Sequence, residues 1–358
     1  MLKTLIVGAG RIAQHYSKIF KSHAVDLSNF IITDVVDIDI KKARLLAKDL
    51  GGEPSTSLSE TLTTSDCNLV LVLTPSYLHF EHTKIALMSG RHALIEKPST
   101  LAIQDSHSLA QIAVEKNLKL GTVVQNRLNL ATNFAKDAID SGLLGKIQTV
   151  AVRLVWSRSQ EYYQDEWHGR WRTDGGVLSQ QGFHHIDMAR FLCGEVASVC
   201  SKGKALRHRV EVDDTSVGIL EFQSGALGTI ELTTAAPGKD IEASIKVVGS
   251  EGYIDIGGIA LNKIESFYSE RIKNEKMSKR FERYSEEFEN GYGLSHYRVL
   301  KLFSQDIIEN RNQYFSWIDT VKTLELIHAL YVSQESTKTV SLLRLQNSKK
   351  LGVSHHGN

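Results

Sequence analysis

The amino-terminal part of the chain alternates short, wholly apolar runs with stretches whose apolar residues recur at helical spacing, and this rhythm restricts the fold more than any other feature. Leu5-Ile6-Val7 is followed by Ile12, Ala13, Tyr16, Ile19 and Phe20 at helical spacing, then by Phe30-Ile31-Ile32 leading into Val35-Val36. The pattern continues through Leu69 to Leu73, a predicted helix from about Phe80 to Met88, Ala93-Leu94-Ile95, a helix after Leu101, and Leu120 to Val124. Strands that are apolar on both faces need cover on both sides, which a parallel sheet flanked by helices supplies. From about Asn126 longer strands take over: Val150, Val152, Leu154 and Trp156 share a face, and hairpins are predicted at Ser224-Gly225 and at Gly249 to Gly252. Two terminal helices are expected, roughly Tyr297 to Glu309 and Ile318 to Glu335. The reading is therefore α/β, with a doubly wound parallel sheet over residues 1–125 and an α+β domain with an antiparallel sheet over 126–358.

Length agrees with two domains, since 358 residues exceed the roughly 100–200 typical of one. The 42 Lys and Arg against 41 Asp and Glu leave a net charge of +1, which provides no global field for nucleic acid. Three cysteines, Cys67, Cys193 and Cys200, suit a reducing compartment, so the cytoplasm is expected. Gly8 and Gly10 interrupt the first apolar run before a signal-peptide core can form, and no apolar stretch reaches the ~18–20 residues of a membrane span. The charged stretch Ser269 to Glu289 is expected to be a solvated face.

Val7-Gly8-Ala9-Gly10-Arg11-Ile12-Ala13 lies directly after the first predicted strand and opens the first helix, the context of a dinucleotide-binding turn. Gly8 permits the tight turn, Gly10 lets the backbone approach a pyrophosphate, and Ala13 allows close helix packing while free N–H groups face the anion. Asp37, ending the second strand, is placed to accept hydrogen bonds from an adenosine ribose; capping the next helix is its alternative role. Asp37 would repel a 2′-phosphate and no arginine follows it, so NAD is expected over NADP, with Lys41, Lys42 and Arg44 nearby as the opposing consideration.

Glu96-Lys97-Pro98 falls at the carboxyl end of a predicted strand, the edge where open α/β sheets bind ligands; a surface Lys-Pro turn is the alternative. Asp174 to Asp187 runs from a glycine turn into a predicted helix ending near Cys193-Gly194, in which Gln180, His184 and Asp187 would share a polar face unless Gly182 delays the start. His184 could face a cleft or be a hydrogen-bonded core histidine, and on its own the second reading is favoured. Adjacent histidines point to different helix faces, so no metal site is expected from His184, His185 and Asp187.

These residues, with Thr74-Pro75-Ser76-Tyr77-Leu78-His79, Gln125-Asn126-Arg127 and Trp171-Arg172, resemble the Gfo/Idh/MocA oxidoreductases over essentially the whole chain. The resemblance implies a Rossmann domain followed by a domain with a large, open, mostly antiparallel sheet that commonly builds homodimers or homotetramers. It implies that Thr74, Pro75 and His79 line the cofactor groove and that Glu96 and Gln125 lie near the nicotinamide ribose. It further implies that Trp171 and Arg172 flank the active site and that Lys97 and His184 hold the catalytic positions. Gln180 stands where the family commonly has an aspartate; an amide cannot take a proton, so Gln180 is expected to orient substrate hydroxyls. Alcohol oxidation needs a base and a cation at the carbinol oxygen, and His184 and Lys97 can fill those roles in either assignment.

The segment from Arg158 to Arg172 resembles family members that oxidise nucleotide-linked sugars for bacterial surface polysaccharides. Arg127 is the first candidate for an anionic substrate group, followed by Tyr163 and His296, each with an alternative as a surface or interdomain contact. Oxidation of a free sugar or inositol, NAD-dependent glycoside hydrolysis, and a non-catalytic sugar or NAD sensor are the competing expectations.

Overall fold

A computed structural model describes residues 1–272, 279–288, 291–312, 314–344 and 346–353. Of the charged stretch 269–289, residues 273–278 and 289 lie outside the described residues. The chain divides into two compact units, Met1–Val124 with Leu294–Val321, and Gln125–Gly293 with Lys322–Asn358. The sequence-based division at 125/126 does not contain the return of Leu294–Val321 to the first unit. Among the described residues, no helix is long and apolar enough to cross a membrane.

The first unit is a six-stranded sheet of β1 (Leu2–Val7), β2 (Phe30–Val36), β3 (Glu53–Ser55), β4 (Leu69–Val72), β5 (His92–Ile95) and β6 (Leu120–Thr122). Their order is β3-β2-β1-β4-β5-β6, with every pairing parallel. Leu5, Val7, Val70, Val72 and Ile95 are buried in its core, as wholly apolar strands between two helical layers must be. The strand order reverses at β1 and β4, so their carboxyl ends open the crevice where doubly wound sheets take ligands.

The returning segment carries the helix His296–Ile308, and its residues after that helix fix the carboxyl end of β6. The Tyr314 hydroxyl donates to the Thr122 carbonyl at 2.5 Å, Thr320 and Thr122 hydroxyls meet at 3.2 Å, and Trp317 Nε1 donates to the Ser106 carbonyl at 3.0 Å. The carboxyl end of β6 is thus fixed by side chains almost two hundred residues downstream, a relation that no local periodicity encodes.

The second unit is an eight-stranded sheet made by β7 (Ile147–Val155), β8 (Val196–Lys204), β9 (Thr215–Phe222), β10 (Leu227–Thr233), β11 (Glu242–Gly249), β12 (Gly252–Gly257), β13 (Lys263–Ser269) and β14 (Val340–Ser341). The order is β13-β12-β11-β7-β10-β9-β8-β14; β7 and β10 pair in parallel and all other neighbours are antiparallel. Both predicted hairpins form, β9–β10 and β11–β12. Alternation decides the faces: Val150, Val152 and Leu154 are buried while Thr149 and Arg153 are exposed. The helix Phe183–Cys193 lies against β7.

The predicted helix through Gln180 is broken. Gly176–Ser179 forms one short turn and Phe183–Cys193 a separate helix. A Cβ on Gly182 would lie 2.6 Å from Leu232 Cδ1 and 2.8 Å from the Val177 carbonyl oxygen, so only glycine lets the chain step between the two. Gln180 and His184 therefore sit on different elements.

Candidate active site

The turn after β1 separates its two glycines by task. Gly8 has φ +97°, and a Cβ there would meet the Leu73 carbonyl group at 2.7 Å and Thr74 N at 2.8 Å; it is required by the packing of two loops at the crevice. Gly10 differs: among the described residues nothing lies within 4 Å of a Cβ built on it. It is the N-cap of the helix Arg11–Ser22, whose first turn has no acidic residue and no side-chain cap among the described residues. Amide groups of a helix N-terminus beside such an opening are a ready anion site. Ala13 is buried, which brings the helix close to the sheet.

Asp37 completes the loop. One carboxylate oxygen accepts from Ala9 N at 2.7 Å and the other from Asp39 N at 2.8 Å, which orients the group beside the turn. The next helix, Ile40–Leu50, is capped by Asp39, whose side chain accepts from Lys41 N, so helix capping does not occupy Asp37. Each Asp37 oxygen retains a lone pair beyond its backbone contact.

At the ends of β4 and β5, Thr74 and Pro75 are partly exposed, whereas His79 is buried and binds protein at both nitrogens. Its Nδ1 meets the Pro98 carbonyl at 2.7 Å and its Nε2 the Thr74 carbonyl at 2.8 Å, tying the Thr74 loop to the Lys97–Pro98 turn. Burial pushes its pKa down to about 4 although both carbonyls favour the protonated ring, and the neutral ring can donate to only one of them. Glu96 is buried with raised pKa, chiefly through desolvation; its Oε1 accepts from the Tyr16 hydroxyl at 2.9 Å and its Oε2 from Lys97 N at 3.2 Å. His296 belongs to this unit: it is 1% exposed, with Nε2 3.7 Å from Glu96 Oε1 and Nδ1 3.3 Å from His15 Nε2. His296 was a candidate substrate contact with a surface or interdomain contact as its favoured alternative; its two ring nitrogens face protein groups inside the unit.

In the second unit, Gln125 Nε2 and His184 Nε2 are 3.1 Å apart, with Gln125 buried and His184 half-buried. With the amide donating, the single lone pair of His184 Nε2 is held by Gln125, which fixes the tautomer of the ring. Gln125 Oε1 is buried with no hydrogen-bond partner among the described residues, an acceptor suited to a ligand hydroxyl or amide. Gln180 is buried.

Arg127, expected to meet an anionic substrate, has a different partner. Its Nε and Nη2 bind the two Asp187 oxygens at 2.7 and 2.6 Å, its guanidinium lies 4.9 Å over the Phe191 ring, and its side chain is 1% exposed. Asp187 Oδ1 also accepts from Thr323 at 2.7 Å. The third member of the predicted polar stripe is thus turned into this buried pair. The Tyr163 hydroxyl meets Thr234 Oγ1 at 2.8 Å, and burial foremost pushes its pKa up to about 12. Trp171 packs edge-on against Tyr331 and beneath Lys350, while Arg172 and Arg11 are exposed and Ile12 half-buried.

Sequence reasoning did not single out Tyr16, His15 or Asp213. Tyr16 and His15 read as ordinary positions of an amphipathic helix. Asp213 is buried against Tyr331 and Gln334, with desolvation pushing its pKa up to about 7, and its adjacency to Asp214 was the available signal.

The helix amides at Gly10 and the oriented Asp37 carboxylate of the first unit fit a dinucleotide. Comparison with known proteins agrees. Residues 2–123 match the model of an oxidoreductase family with an NAD-binding Rossmann fold, and residues 132–255 match the GFO/IDH/MocA C-terminal domain. Among solved structures, the WlbA dehydrogenase from Bordetella pertussis in complex with NADH and UDP-GlcNAcA is 27% identical with TM-score 0.89, covering 95% of this chain and 97% of that one. WlbA from Chromobacterium violaceum, with the same ligands, is 29% identical with TM-score 0.86, covering 95% of each chain. Among curated relatives, the NAD-dependent scyllo-inositol 2-dehydrogenase of Bacillus subtilis is 27% identical over 72% of this chain and 74% of its own length. With both halves matched and the glycine turn built as the first half demands, the chain belongs to the GFO/IDH/MocA family of NAD-binding oxidoreductases.

Proposed function

We propose that the protein is an NAD-dependent dehydrogenase of a nucleotide-linked sugar. The observation carrying this reading is the likeness, over 95% of the chain, to two WlbA dehydrogenases solved with NADH and UDP-GlcNAcA. The Arg- and Tyr-rich stretch from Arg158 to Arg172 supports it, because guanidinium groups bind phosphate bidentately and aromatic rings stack on bases and sugars. A place in surface-polysaccharide building is part of the same reading.

NAD, when bound, accepts the hydride. Gly8, Gly10, Arg11, Ile12 and Ala13 form the turn and helix start for its pyrophosphate, Asp37 takes the ribose hydroxyls and disfavours NADP, and Thr74 and Pro75 line the groove. Lys97 supplies the cation that stabilises negative charge on the carbinol oxygen, and His184 removes the hydroxyl proton, its Nε2 lone pair taking the substrate hydroxyl in place of the Gln125 amide. Gln125 orients His184, and Gln180 orients substrate hydroxyls. Arg127 acts as a positioning residue through Asp187 and the helix that carries His184. The outward face of the eight-stranded sheet, where Val217, Ile219 and Leu227 are about half exposed, supports a homodimer or homotetramer.

A second reading, oxidation of a free polyol, is favoured by the inositol dehydrogenase relatives, including the Thermotoga maritima myo-inositol 2-dehydrogenase, 24% identical over 94% of this chain. A panel of free sugars, inositols and UDP-linked sugars assayed for NADH formation separates the two. Turnover of UDP-GlcNAcA or a related UDP-sugar, with none of inositol, is the expected result; the reverse overturns the proposal.

A further inference from the structure

Behind Lys97 the first unit holds an array of four polar groups that the proposed chemistry does not use directly. Tyr16 and His15 come from the helix after β1, Glu96 from the end of β5, and His296 from the returning segment. All four are buried. The Tyr16 hydroxyl donates to Glu96 Oε1 at 2.9 Å, His296 Nε2 stands 3.7 Å from the same oxygen, and His296 Nδ1 meets His15 Nε2 at 3.3 Å. The Tyr16 and His296 rings meet edge to face at 5.4 Å.

A buried carboxylate is costly unless donors surround it. Tyr16 and Lys97 N donate hydrogen bonds to Glu96, and His296 Nε2, at 3.7 Å, lies beyond hydrogen-bond distance and acts on it as an oriented dipole. A neutral imidazole has one N–H and one lone pair. If His15 donates to His296 Nδ1, the His296 proton sits on Nε2 and points toward Glu96; in the other tautomer two lone pairs would face each other. Burial foremost, and then the charges of His15 and Lys97, hold His296 well below its ordinary pKa, so it acts as a neutral dipole. The charged or titratable groups acting on Glu96 and its partners are Lys97, Tyr16, His15, His296 and Tyr314. Lys97 N donates to the second carboxylate oxygen at 3.2 Å, so the orientation of Glu96 is passed directly to the backbone of Lys97.

We propose that His296, with His15 and Tyr16, is a positioning residue that fixes the Glu96 carboxylate and thereby the Lys97 backbone at the carboxyl edge of β5. This rests on the reading of Lys97 as part of the reacting centre. It gives the return of Leu294–Val321 to the first unit a functional role, because that segment delivers the imidazole.

The test compares His296→Leu, which removes the N–H, with His296→Gln, which restores a donor, in the full-length protein. Misplacement of a reacting group by about 1 Å can cost ~10²-fold, so His296→Leu is expected to lower kcat by ~10–100-fold with a distinctly smaller loss of NAD affinity. His296→Gln is expected to recover most of the loss. Infrared difference spectra provide a readout independent of turnover: His296→Leu should show a protonated-carboxyl band that Glu96→Gln, combined with it, removes. Wild-type kcat in His296→Leu, or equal loss of kcat, NAD affinity and melting temperature in both variants, overturns the proposal. If instead Lys97→Met retains full turnover while the infrared band appears as expected, the reading of Lys97 fails and the Glu96 array stands.

Discussion

Replacing each glycine of the first turn by alanine separates packing from ligand binding, because the two positions look onto different surroundings. At Gly8 the added Cβ meets the Leu73 carbonyl group at 2.7 Å and Thr74 N at 2.8 Å, in a backbone held at φ +97°. The left-handed conformation costs of order 1–3 kcal/mol, and forcing apart two loops adds a similar ~1–3 kcal/mol. Gly8→Ala is therefore expected to lose roughly 2–6 kcal/mol of stability and to weaken NAD by displacing the turn. At Gly10 the backbone is extended, φ −80° and ψ −160°, and the Cβ enters open space. The cost there is that of a poorer N-cap, ~1 kcal/mol or less. In the proposed cofactor site the pyrophosphate approaches the helix amides through that open space, so Gly10→Ala is expected to weaken NAD at least ~10-fold, about 1.4 kcal/mol. Urea unfolding gives the stabilities and titration of NADH fluorescence gives the affinities. Gly10→Ala binding NADH within twofold of wild type, or Gly8→Ala unfolding at the wild-type midpoint, would refute this account of the loop.

Other expectations follow from single contacts. Asp37→Ser should raise the Kd for NAD and narrow its preference over NADP by ~10-fold or more, seen in paired thermal-shift titrations; an unchanged NAD/NADP ratio contradicts the ribose assignment. Arg127→Met leaves the buried Asp187 carboxylate uncompensated and should cost ~3–5 kcal/mol in urea unfolding. A loss under 1 kcal/mol would mean that the pair contributes little. His185 is buried with no hydrogen-bond partner at either nitrogen among the described residues, and desolvation pushes its pKa down to about 3. Its folded pKa lies below the unfolded value, so the unfolded chain binds the extra proton and stability is lost as pH falls from about 6.5 toward 3. His185→Leu should flatten that acid limb of the stability profile, and a profile parallel to wild type argues against a buried neutral imidazole.

The parallel sheet was legible because its strands are apolar throughout, and the glycine turn because Gly8, Gly10 and Asp37 lie in local context that fixes their geometry. Both hairpins of the second unit were legible from alternation and turn residues. What local pattern does not carry is partnership at long range. Arg127 reads as a free cation until Asp187 is brought to it, and His296 reads as a member of the second domain until the chain returns to the first unit. Gly182 signalled a break, but its close approach to Leu232, which separates Gln180 from the helix of His184, depends on a strand fifty residues away. Tyr16 and His15 were invisible for the same reason, since a buried polar residue on an apolar helical face is recognisable only by what it touches.

In the proposed reaction Lys97 and His184 act on the sugar hydroxyl whose carbon gives its hydride to NAD. Pre-steady-state formation of NADH from the best sugar of the panel, measured for wild type, Lys97→Met and His184→Ala at saturating NAD, tests it most directly. The account predicts that each substitution slows the hydride-transfer phase by at least ~10²-fold while the Kd for NAD stays within about threefold. An undiminished burst in either variant, or a loss explained wholly by weaker NAD binding, would contradict it.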